Sequence, residues 1–536
     1  MKLKTFFIKY IWAFLLIIAG VGVLLDLIVI RYGVGASGDA VWYMQGAENI
    51  LKGYGYGIMR GDGFIPTTMY PPFYSIFLAG FGWFGISLFT MAGVLSALLL
   101  GANIFLTGWI VYKVSGSAVA SSLASIFALM QFDLFELHTW AMSEPLYITL
   151  TLISLLSIFY YRKNRQLIFL ALAGLTAGLS VITRYVGISL APALCLWILV
   201  WDKGTLKKRI MDAAMLGSLC LLPVALFFIR NASLTNTITG RSALVFHAIP
   251  KENYANTVQT LLSWVFTWLA TYHIPWALEK VLFIGLLLLS AVLFYFSVRH
   301  SSTTENDGQQ LFTHFEYLLL IFLSLYVFTF MGSIYLSLAG SPTNWISTQI
   351  PRYLTSLFPV FLILAVLIFL RIQSAVSIRS KVLGTALTSI SLAILALYIA
   401  NFSFFYSKGI YLGYTGIRNK FPALVAELRS IDPARPVIAS NYELVTFLAG
   451  RPVYSMPGEG DELTAIANPN LPQLLEKISD LLDQGAILVV YRSTPDDTFY
   501  YDPMLNGLTL LHTYGSGWPN ISLYTKPGQE PVGPTK

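Results

Sequence analysis

Long apolar segments alternate with short polar ones along the first three quarters of the chain. A membrane-spanning helix requires about 20 mostly apolar residues, and eleven segments of this kind are present. They lie at roughly 10–31, 87–112, 117–135, 142–161, 166–182, 184–201, 211–230, 277–298, 316–338, 353–371 and 382–401. The fifth and sixth meet at Thr183-Arg184, which predicts a tight hairpin. The pattern predicts a polytopic α-helical membrane protein with about eleven transmembrane helices.

Two of the intervening segments are aromatic. Residues 32–86, which we call the first outer segment, form a polar stretch far longer than most loops, and long loops are usually either functional or disordered. Its many Trp and Tyr side chains provide surface to bury, so we expect it to fold on the membrane surface rather than to be disordered. Residues 258–276 contain Trp264, Trp268 and Trp276. Since Trp favours the headgroup level, this segment predicts an interfacial helix rather than a span.

After residue 401 the pattern changes to alternating strand and helix signals. Short apolar runs predict strands at 436–441, 452–454 and 486–491, and amphipathic runs predict helices at 442–449 and 471–483. A closing hairpin is expected around Gly515-Ser516-Gly517. The sequence thus predicts a transmembrane domain over 1–401 and a small α/β domain with some parallel strands over 402–536. The second domain has no Gly-rich phosphate-binding loop, so its own ligand is not indicated.

Composition and charge agree with this division into two domains, and they also predict how the chain is oriented in the membrane. The chain is 56% apolar and 11% charged, whereas soluble proteins have roughly 25% charged residues. Residues 402–536 hold 23 of the 61 charged residues. With the N-terminus inside, the inner segments carry fifteen Lys and Arg residues and the outer segments before residue 402 carry nine. An odd number of spans predicts a multi-pass protein of the cell membrane with a cytoplasmic N-terminus and an extracytoplasmic C-terminus. The net charge of +7 reflects this bias and does not indicate nucleic-acid binding.

Cysteines and histidines indicate no metal or disulfide framework. Cys195 and Cys220 both lie in predicted spans. His138, His247 and His273 are on the outer side but far apart, without metal-ligand spacing. The sequence therefore predicts no metal site and no cofactor, and leaves a divalent-cation requirement open.

Acidic residues on the outer side are the first candidates for chemistry. Asp39 begins the amphipathic run from Ala40 to Leu51, and Glu136 and Glu144 flank the turn between the third and fourth spans. A carboxylate in hydrocarbon costs about 2.5–3.5 kcal/mol, so those at such depth usually face a cavity or a partner. The alternative is that Asp39 only caps its helix and that Ser143 or Glu144 only caps the other, because Asp is a common N-cap and Pro145 suits a first helical turn.

Basic residues on the same side form a second set. Arg184 and Arg352 lie at the outer membrane boundary, each followed by a tyrosine, and Lys52 and Arg60 lie in the first outer segment. The arginine fork matches phosphate geometry, and lipid phosphates reside at this depth. The alternative is that the two arginines only reach towards the interface and stabilise the topology.

In combination, these features resemble the GT-C superfamily of membrane glycosyltransferases, in particular the bacterial branch with aminoarabinose, galacturonosyl and mannosyl transferases. The resemblance covers nearly the whole chain and is carried by short motifs in a fixed order. They are Ser37-Gly38-Asp39-Ala40-Val41-Trp42-Tyr43, Tyr70-Pro71-Pro72-Phe73-Tyr74, Met142-Ser143-Glu144-Pro145-Leu146-Tyr147, Thr183-Arg184-Tyr185, Arg352-Tyr353-Leu354 to Phe358-Pro359, Ile438-Ala439-Ser440-Asn441 and Gly450-Arg451-Pro452-Val453-Tyr454.

The resemblance implies an inverting glycosyltransferase that uses a polyprenyl-phosphate-linked monosaccharide outside the cytoplasm. It implies that Asp39 is the general base or orients the acceptor, that Glu144 shapes the acceptor or donor-sugar site, and that Arg184 or Arg352 holds the lipid phosphate. The remaining expected site residues are Lys52 and Arg60 for the donor phosphate, and Tyr43, Tyr70, Glu136, His138 and Tyr353 for the acceptor and cavity. The acceptor is expected to be an envelope lipid or glycan. A protein acceptor is less expected, because Ala40 follows Asp39 where the eukaryotic protein mannosyltransferases have an Asp-Glu pair.

Two other functions are compatible with the sequence. One is a transporter or flippase for a lipid-linked sugar, although such proteins often contain internal repeats and none is evident here. The other is a non-catalytic membrane protein that binds polyprenyl lipids, against which the presence of Asp39 argues mildly.

Overall fold

The computed structural model describes residues 9–235, 244–246, 250–267, 307–338, 349–458, 468–495 and 502–529, together with a few isolated positions between 248 and 285. The helices up to residue 408 are α1 (Ile11–Val29), α2 (Gly38–Leu51), α3 (Phe73–Gly82), α4 (Leu88–Ser115), α5 (Ala118–Met130), α6 (Phe132–His138), α7 (Glu144–Asn164), α8 (Leu167–Val181), α9 (Leu190–Trp201), α10 (Leu206–Thr235), α11 (Lys251–Ser263), α12 (Asp307–Tyr335), α13 (Ile350–Thr355), α14 (Phe358–Arg379) and α15 (Lys381–Lys408). The helices after residue 408 are α16 (Tyr414–Lys420), α17 (Pro422–Ser430), α18 (Tyr442–Ala449), α19 (Leu471–Asp483) and α20 (Asp502–Leu505). The strands are β1 (Gly57–Arg60), β2 (Gly63–Pro66), β3 (Leu244–Phe246), β4 (Leu336–Leu338), β5 (Val437–Ala439), β6 (Tyr454–Ser455), β7 (Ile487–Arg492), β8 (Thr509–Tyr514) and β9 (Asn520–Thr525).

The multi-pass helical architecture expected from the apolar segments is confirmed. Seven described helices are long and apolar enough to cross a membrane: Ile11–Tyr32, Leu88–Ser115, Glu144–Asn164, Leu206–Thr235, Gln310–Tyr335, Phe358–Ser377 and Lys381–Lys408. The third predicted span is the pair α5–α6, which is bent by 65°. The fifth and sixth correspond to shorter apolar helices, and most of 277–298 lies outside the described residues. The count of eleven spans stays a prediction.

The bend between α5 and α6 has a local cause. Gln131 takes an extended conformation between the two helices, and its side-chain oxygen accepts a hydrogen bond of 3.3 Å from the backbone N–H of Asp133. The amide thus satisfies one of the free N–H groups at the start of α6. The turned α6 then leads the chain to Trp140 and the start of α7.

Small residues and ion pairs hold the helices together. Gly174 on α8 lies so close to α10 that a Cβ there would come within 2.6 Å of the Leu216 carbonyl oxygen, which is how small residues let membrane helices approach. At the end of α7, Arg162 and Arg165 bind the buried Asp202 carboxylate at 2.9 and 2.6 Å. These two arginines belong to the inner basic residues of the sequence prediction.

The first outer segment is folded. Between α2 and α3, strands β1 and β2 form an antiparallel hairpin that pairs Gly57 with Pro66 and Arg60 with Gly63. The rings of Tyr43 and Tyr74 are buried against each other, with centroids 5.2 Å apart. The aromatic side chains therefore form a small core, as the composition of the segment indicates.

The tryptophan-rich segment differs from the expected helix in its extent. Helix α11 begins at Lys251 and ends at Ser263, before Trp264. The Trp264 ring is buried against Phe361 of α14, with centroids 5.0 Å apart, and the interfacial position of the segment stays a prediction. Trp268 and Trp276 lie outside the described residues.

The C-terminal α/β fold is confirmed. A five-stranded sheet has the order β6-β5-β7-β9-β8, with β5 parallel to both β6 and β7 and the β8–β9 hairpin antiparallel. Helices α18 and α19 match the predicted helices at 442–449 and 471–483. Helix α15 continues to Lys408, and the division of the chain at 401/402 stays a prediction.

The C-terminal domain is joined to the first outer segment by backbone contacts. The N–H of Ala36 donates to the Leu412 carbonyl at 3.2 Å, and the N–H of Tyr414 donates back to Ala36 at 2.8 Å. The N–H of Gly61 donates to the Val453 carbonyl at 2.9 Å. The domain therefore lies over the start of α2, where Asp39 is located.

Candidate active site

Asp39 lies in the first turn of α2, and Ser37 rather than Asp39 occupies the N-cap position. The Asp39 carboxylate makes no cap; it accepts hydrogen bonds from the Tyr70 hydroxyl at 3.1 Å and from Arg352 Nη2 at 2.8 Å. Both partners lie far away in sequence. The side chain is thus directed into a tertiary contact, unlike in the capping alternative.

Glu144 is the first residue of α7 and is completely buried. Its Oε1 accepts from Arg184 Nη1 at 2.7 Å and from Arg352 Nε. Its Oε2 has no hydrogen-bond partner within the described part of the chain. Since an unsatisfied buried polar atom costs about 1–3 kcal/mol, this oxygen is suited to receive a donor from outside the protein, such as water or a ligand.

Arg184 and Arg352 connect the carboxylates instead of extending to solvent. Arg184 lies in the turn after α8, donates to Ser143 Oγ at 3.2 Å and stacks on the Tyr353 ring at 4.7 Å. Arg352, on α13, binds both Glu144 and Asp39. The two arginines therefore meet at the start of α7, which differs from the alternative in which they only stabilise the topology.

The four side chains form one network of ion pairs in the order Arg184–Glu144–Arg352–Asp39. Its two positive and two negative charges balance, and its members become more exposed towards Asp39. The exposed fraction of the side chain is 0% for Glu144, 7% for Arg184, 20% for Arg352 and 26% for Asp39. Low dielectric strengthens charge interactions at the buried end. The other end, at Asp39 and Arg352, is open to a ligand.

Three tyrosines of the sequence prediction border this network. The Tyr43 hydroxyl lies 3.1 Å from Ser143 Oγ, Tyr353 stacks on Arg184, and Tyr70 donates to Asp39. Burial and the neighbouring Asp39 carboxylate raise the pKa of Tyr70 well above its ordinary value. The Tyr70 hydroxyl therefore stays protonated and orients the Asp39 carboxylate as a donor.

Other predicted residues do not join the network. Lys52 is exposed at the end of α2 and pairs with Glu48 at 2.6 Å. His138 is buried, and it binds the Leu134 carbonyl at 2.7 Å and Asn103 at 3.0 Å. It therefore stabilises the packing near the start of α7 without joining the network. Glu136, on α6, has no hydrogen bond or ion pair to the four charged side chains within the described ranges.

Arg60 lies outside the charged network, against two aromatic rings. Its guanidinium is 6.0 Å from the Trp42 ring and 5.0 Å from the Tyr442 ring. It is therefore positioned between the first outer segment and the C-terminal domain, beside Trp42 and Tyr442.

The structure also brings in residues that were not among the predicted site residues. Ser143 links Tyr43 to Arg184, and Met142 Sδ lies 3.4 Å from Arg352 Nη2. Glu443, from α18, accepts a hydrogen bond of 3.1 Å from Trp42 Nε1. Ser143 could have been found from the sequence, because it is adjacent to Glu144. No sequence feature indicates Glu443, because it lies 401 residues from Trp42.

Within the described part of the chain, no group of three or more His, Cys, Asp or Glu side chains is arranged to hold a metal ion. The charges of the network are balanced by arginines alone.

Comparison with solved structures shows a shared fold. The chain matches the crystal structure of ArnT from Cupriavidus metallidurans in the apo state with a TM-score of 0.54 and 13% identity, over 95% of this chain and 97% of that one. The same protein bound to undecaprenyl phosphate matches with a TM-score of 0.54 and 14% identity, over 96% of this chain and 98% of that one. The archaeal oligosaccharyltransferase AglB from Archaeoglobus fulgidus, in complex with an inhibitory peptide and a dolichol-phosphate, matches with a TM-score of 0.54 and 12% identity, over 90% and 69% of the two chains.

These identities are low, and what the matches show is the fold. No protein-family model and no curated protein sequence matches the chain. The fold that the sequence resemblance implies is confirmed, because the chain shares the fold of ArnT and of AglB over most of its length.

Proposed function

We propose that this protein is a membrane glycosyltransferase that transfers a monosaccharide from a polyprenyl-phosphate donor to a hydroxyl group on the extracytoplasmic side, with inversion at the anomeric carbon. The observation that carries the proposal is Arg352, which binds Asp39 and Glu144 at the partly exposed end of the charged network. The fold supports it, because the solved structures that share this fold include complexes with undecaprenyl phosphate and dolichol-phosphate.

The arginines are suited to the leaving lipid phosphate. Arg184 Nε is buried without a hydrogen-bond partner in the described part of the chain, and Arg352 Nη1 has only a long contact of 3.5 Å to Gln349. Phosphate oxygens would occupy these donors. As the bond to the sugar breaks, negative charge grows on the phosphate, and preorganised guanidinium groups stabilise that charge most in the transition state.

Asp39 is suited to act as the base. In the absence of donor, Arg352 neutralises it. When the lipid phosphate binds Arg352, Asp39 Oδ2 becomes available for the acceptor hydroxyl. The acceptor oxygen then attacks the anomeric carbon, its proton passes to Asp39, and the bond from the anomeric carbon to the phosphate oxygen breaks with release of polyprenyl phosphate.

Glu144 is proposed as a positioning residue. It is buried, and it holds both arginines at the start of α7. The fixed distance between the two guanidinium groups would orient the phosphate relative to Asp39.

Purified full-length protein in lipid nanodiscs provides the test. We would supply undecaprenyl-phosphate-linked aminoarabinose, galacturonic acid and mannose separately, together with a cell-envelope lipid extract, and measure the release of undecaprenyl phosphate. At least one donor should be cleaved, and Arg352→Lys, which keeps a positive charge between the two carboxylates, should reduce the rate about 10²–10³-fold. Lys52→Ala removes a cation from the same outer segment and serves as the matched control.

A wild-type protein that binds undecaprenyl phosphate but cleaves none of the donors would instead indicate a lipid-linked sugar transporter or a polyprenyl-lipid-binding protein. The proposed sidedness is tested separately by a reporter fused after Lys536. Activity of that reporter only in the cytoplasm would contradict an extracytoplasmic site.

A further inference from the structure

A second group of side chains continues from the other carboxylate oxygen of Asp39, since Arg352 binds Oδ2 and Tyr70 binds Oδ1. Asp39 binds Tyr70, the Tyr70 ring lies 5.4 Å from the Trp42 ring, and Trp42 Nε1 binds Glu443 at 3.1 Å. Each of these side chains is half-buried and retains an exposed surface. We call Tyr70, Trp42 and Glu443 the outer rim.

The rim is completed by the C-terminal domain. Glu443 lies in the first turn of α18, over the backbone at Gly38, where a Cβ would lie 3.7 Å from Glu443 Cγ and 4.0 Å from the Tyr414 hydroxyl. Burial and the Glu443 carboxylate raise the pKa of Tyr414, and Asp39 also contributes. Within the described residues, Glu443 has no ion-pair partner, so its charge is available to a ligand.

Two aromatic rings between two carboxylates form a surface that suits a sugar. The C–H groups on one face of a pyranose pack on aromatic rings, and its hydroxyl groups donate to carboxylate oxygens, which are acceptors only. The Arg60 guanidinium lies 6.0 Å from the Trp42 ring and adds a positive charge beside the two carboxylates, so the rim has charges of both signs rather than an excess that would select an ionic ligand. The rim is therefore suited to a neutral pyranose.

The position of the outer rim indicates whether it binds the donor sugar or the acceptor sugar. The donor sugar is attached to the phosphate and must lie between Arg352 and Asp39. The group that presents the attacking hydroxyl approaches Asp39 from the opposite side, because inversion requires attack opposite the leaving group. The outer rim is a candidate for that side, because its Tyr70 binds Asp39 Oδ1 whereas Arg352 binds Asp39 Oδ2.

We propose that the outer rim is the acceptor subsite, that it binds a neutral pyranose of a glycan or glycolipid, and that Glu443 of the C-terminal domain determines this specificity. The inference rests on the proposed function, since it uses the position of the donor phosphate. It gives the C-terminal domain a direct part in acceptor selection.

Sugar binding at the rim can be measured with simple probes. We would record saturation-transfer NMR of the full-length protein in nanodiscs containing undecaprenyl phosphate, with methyl glycosides of glucose, galactose, mannose and N-acetylglucosamine. At least one glycoside should bind the wild type. Glu443→Gln keeps an oxygen for Trp42 Nε1 but removes the charge, so it should weaken that glycoside about 10-fold, because hydrogen bonds to charged groups are roughly twice as strong as neutral ones.

The matched control is Asp62→Asn. Asp62 binds Lys477 at 2.7 Å and also joins the first outer segment to the C-terminal domain, but at an exposed position without contact to the rim. Loss of binding in Asp62→Asn as large as in Glu443→Gln would show that only domain contact matters and would reject the inference.

Two further outcomes are decisive. If undecaprenyl phosphate binds and none of the four glycosides does, or if Glu443→Gln binds the glycoside as well as the wild type, the acceptor subsite is wrong while the proposed function stands. If undecaprenyl phosphate itself does not bind the wild type, the proposed function fails. If Glu443→Gln lowers the affinity for undecaprenyl phosphate, which carries no sugar, to the same extent as for the glycoside, the substitution disturbs the phosphate site as well and the acceptor subsite is rejected.

Discussion

Glu144 and Asp39 are two carboxylates bound by the same arginine in different surroundings. Glu144 is completely buried and binds two guanidinium groups, whereas Asp39 is 26% exposed and binds one guanidinium group, that of Arg352, and the Tyr70 hydroxyl. Removal of one partner from a buried ion pair leaves an uncompensated charge, while water can solvate a half-exposed one. The comparison indicates that the buried end of the network fixes the geometry and the open end carries out the reaction.

The largest effect on turnover is expected at the open end. Asp39→Asn keeps the size and the hydrogen-bonding oxygen of the side chain, but an amide cannot accept the proton of the acceptor. Turnover should fall about 10²–10⁴-fold, with the melting temperature close to that of the wild type. Near-normal turnover in a well-folded Asn variant would exclude Asp39 as the base and make Glu144 and Glu136 the next candidates.

The largest effect on stability is expected at the buried end. Glu144→Ala leaves Arg184 buried without its carboxylate partner and should lower the free energy of unfolding by about 3–5 kcal/mol. Asp39→Ala is the matched control and should lower it by less than about 1 kcal/mol, because Arg352 keeps Glu144. Thermal unfolding of both variants in the same detergent measures the difference. Equal losses would contradict the division into a structural and a reactive end.

A smaller effect is expected from the group that orients Asp39. Tyr70→Phe removes one hydrogen bond to the carboxylate and leaves the ring against Trp42. We expect a loss of about 0.5–1.5 kcal/mol in transition-state stabilisation, which corresponds to roughly a 2- to 12-fold lower rate. The steady-state rate and the melting temperature should be recorded together; a large drop in melting temperature would instead assign Tyr70 a structural role.

The smallest effect is expected at Lys52. Its ion pair with Glu48 is a surface pair within one helix, and such pairs contribute little. Lys52→Ala should change the free energy of unfolding by less than about 0.5 kcal/mol and leave turnover unchanged. A loss of donor binding in this variant would place the lipid phosphate much further from Arg352 than we propose.

The fold follows from the sequence to a large extent because its signals are local. Apolar length predicts most helices of the bundle, and the Asn441 cap and Gly450 stop define α18 to the residue. The bend at Gln131 was not foreseen, because no Pro or Gly marks it. The burial of Trp264 was also missed, since a tryptophan near a helix end is equally compatible with the interface and with the bundle.

The site could be predicted only in part for a physical reason. Hydropathy assigns Lys52, Arg60, Arg184 and Arg352 to one side of the membrane, but it does not give distances within that side. The contact between Arg352 and Asp39 joins residues 313 apart in sequence, and it depends on how α13 packs near α2 and α7. Likewise, Glu443 reaches the site only because the C-terminal domain folds back onto Gly38.

The affinity for undecaprenyl phosphate in two variants tests the central claim most directly. In our account, Arg352 holds the lipid phosphate and Asp39 competes for it until the donor binds. Native mass spectrometry of the full-length protein should therefore show a Kd about 10–100-fold weaker in Arg352→Lys and a Kd at least as tight as the wild type in Asp39→Asn. If both variants lose affinity to the same extent, or if Arg352→Lys binds the lipid normally, the phosphate lies elsewhere and the proposed division of roles within the charged network is wrong.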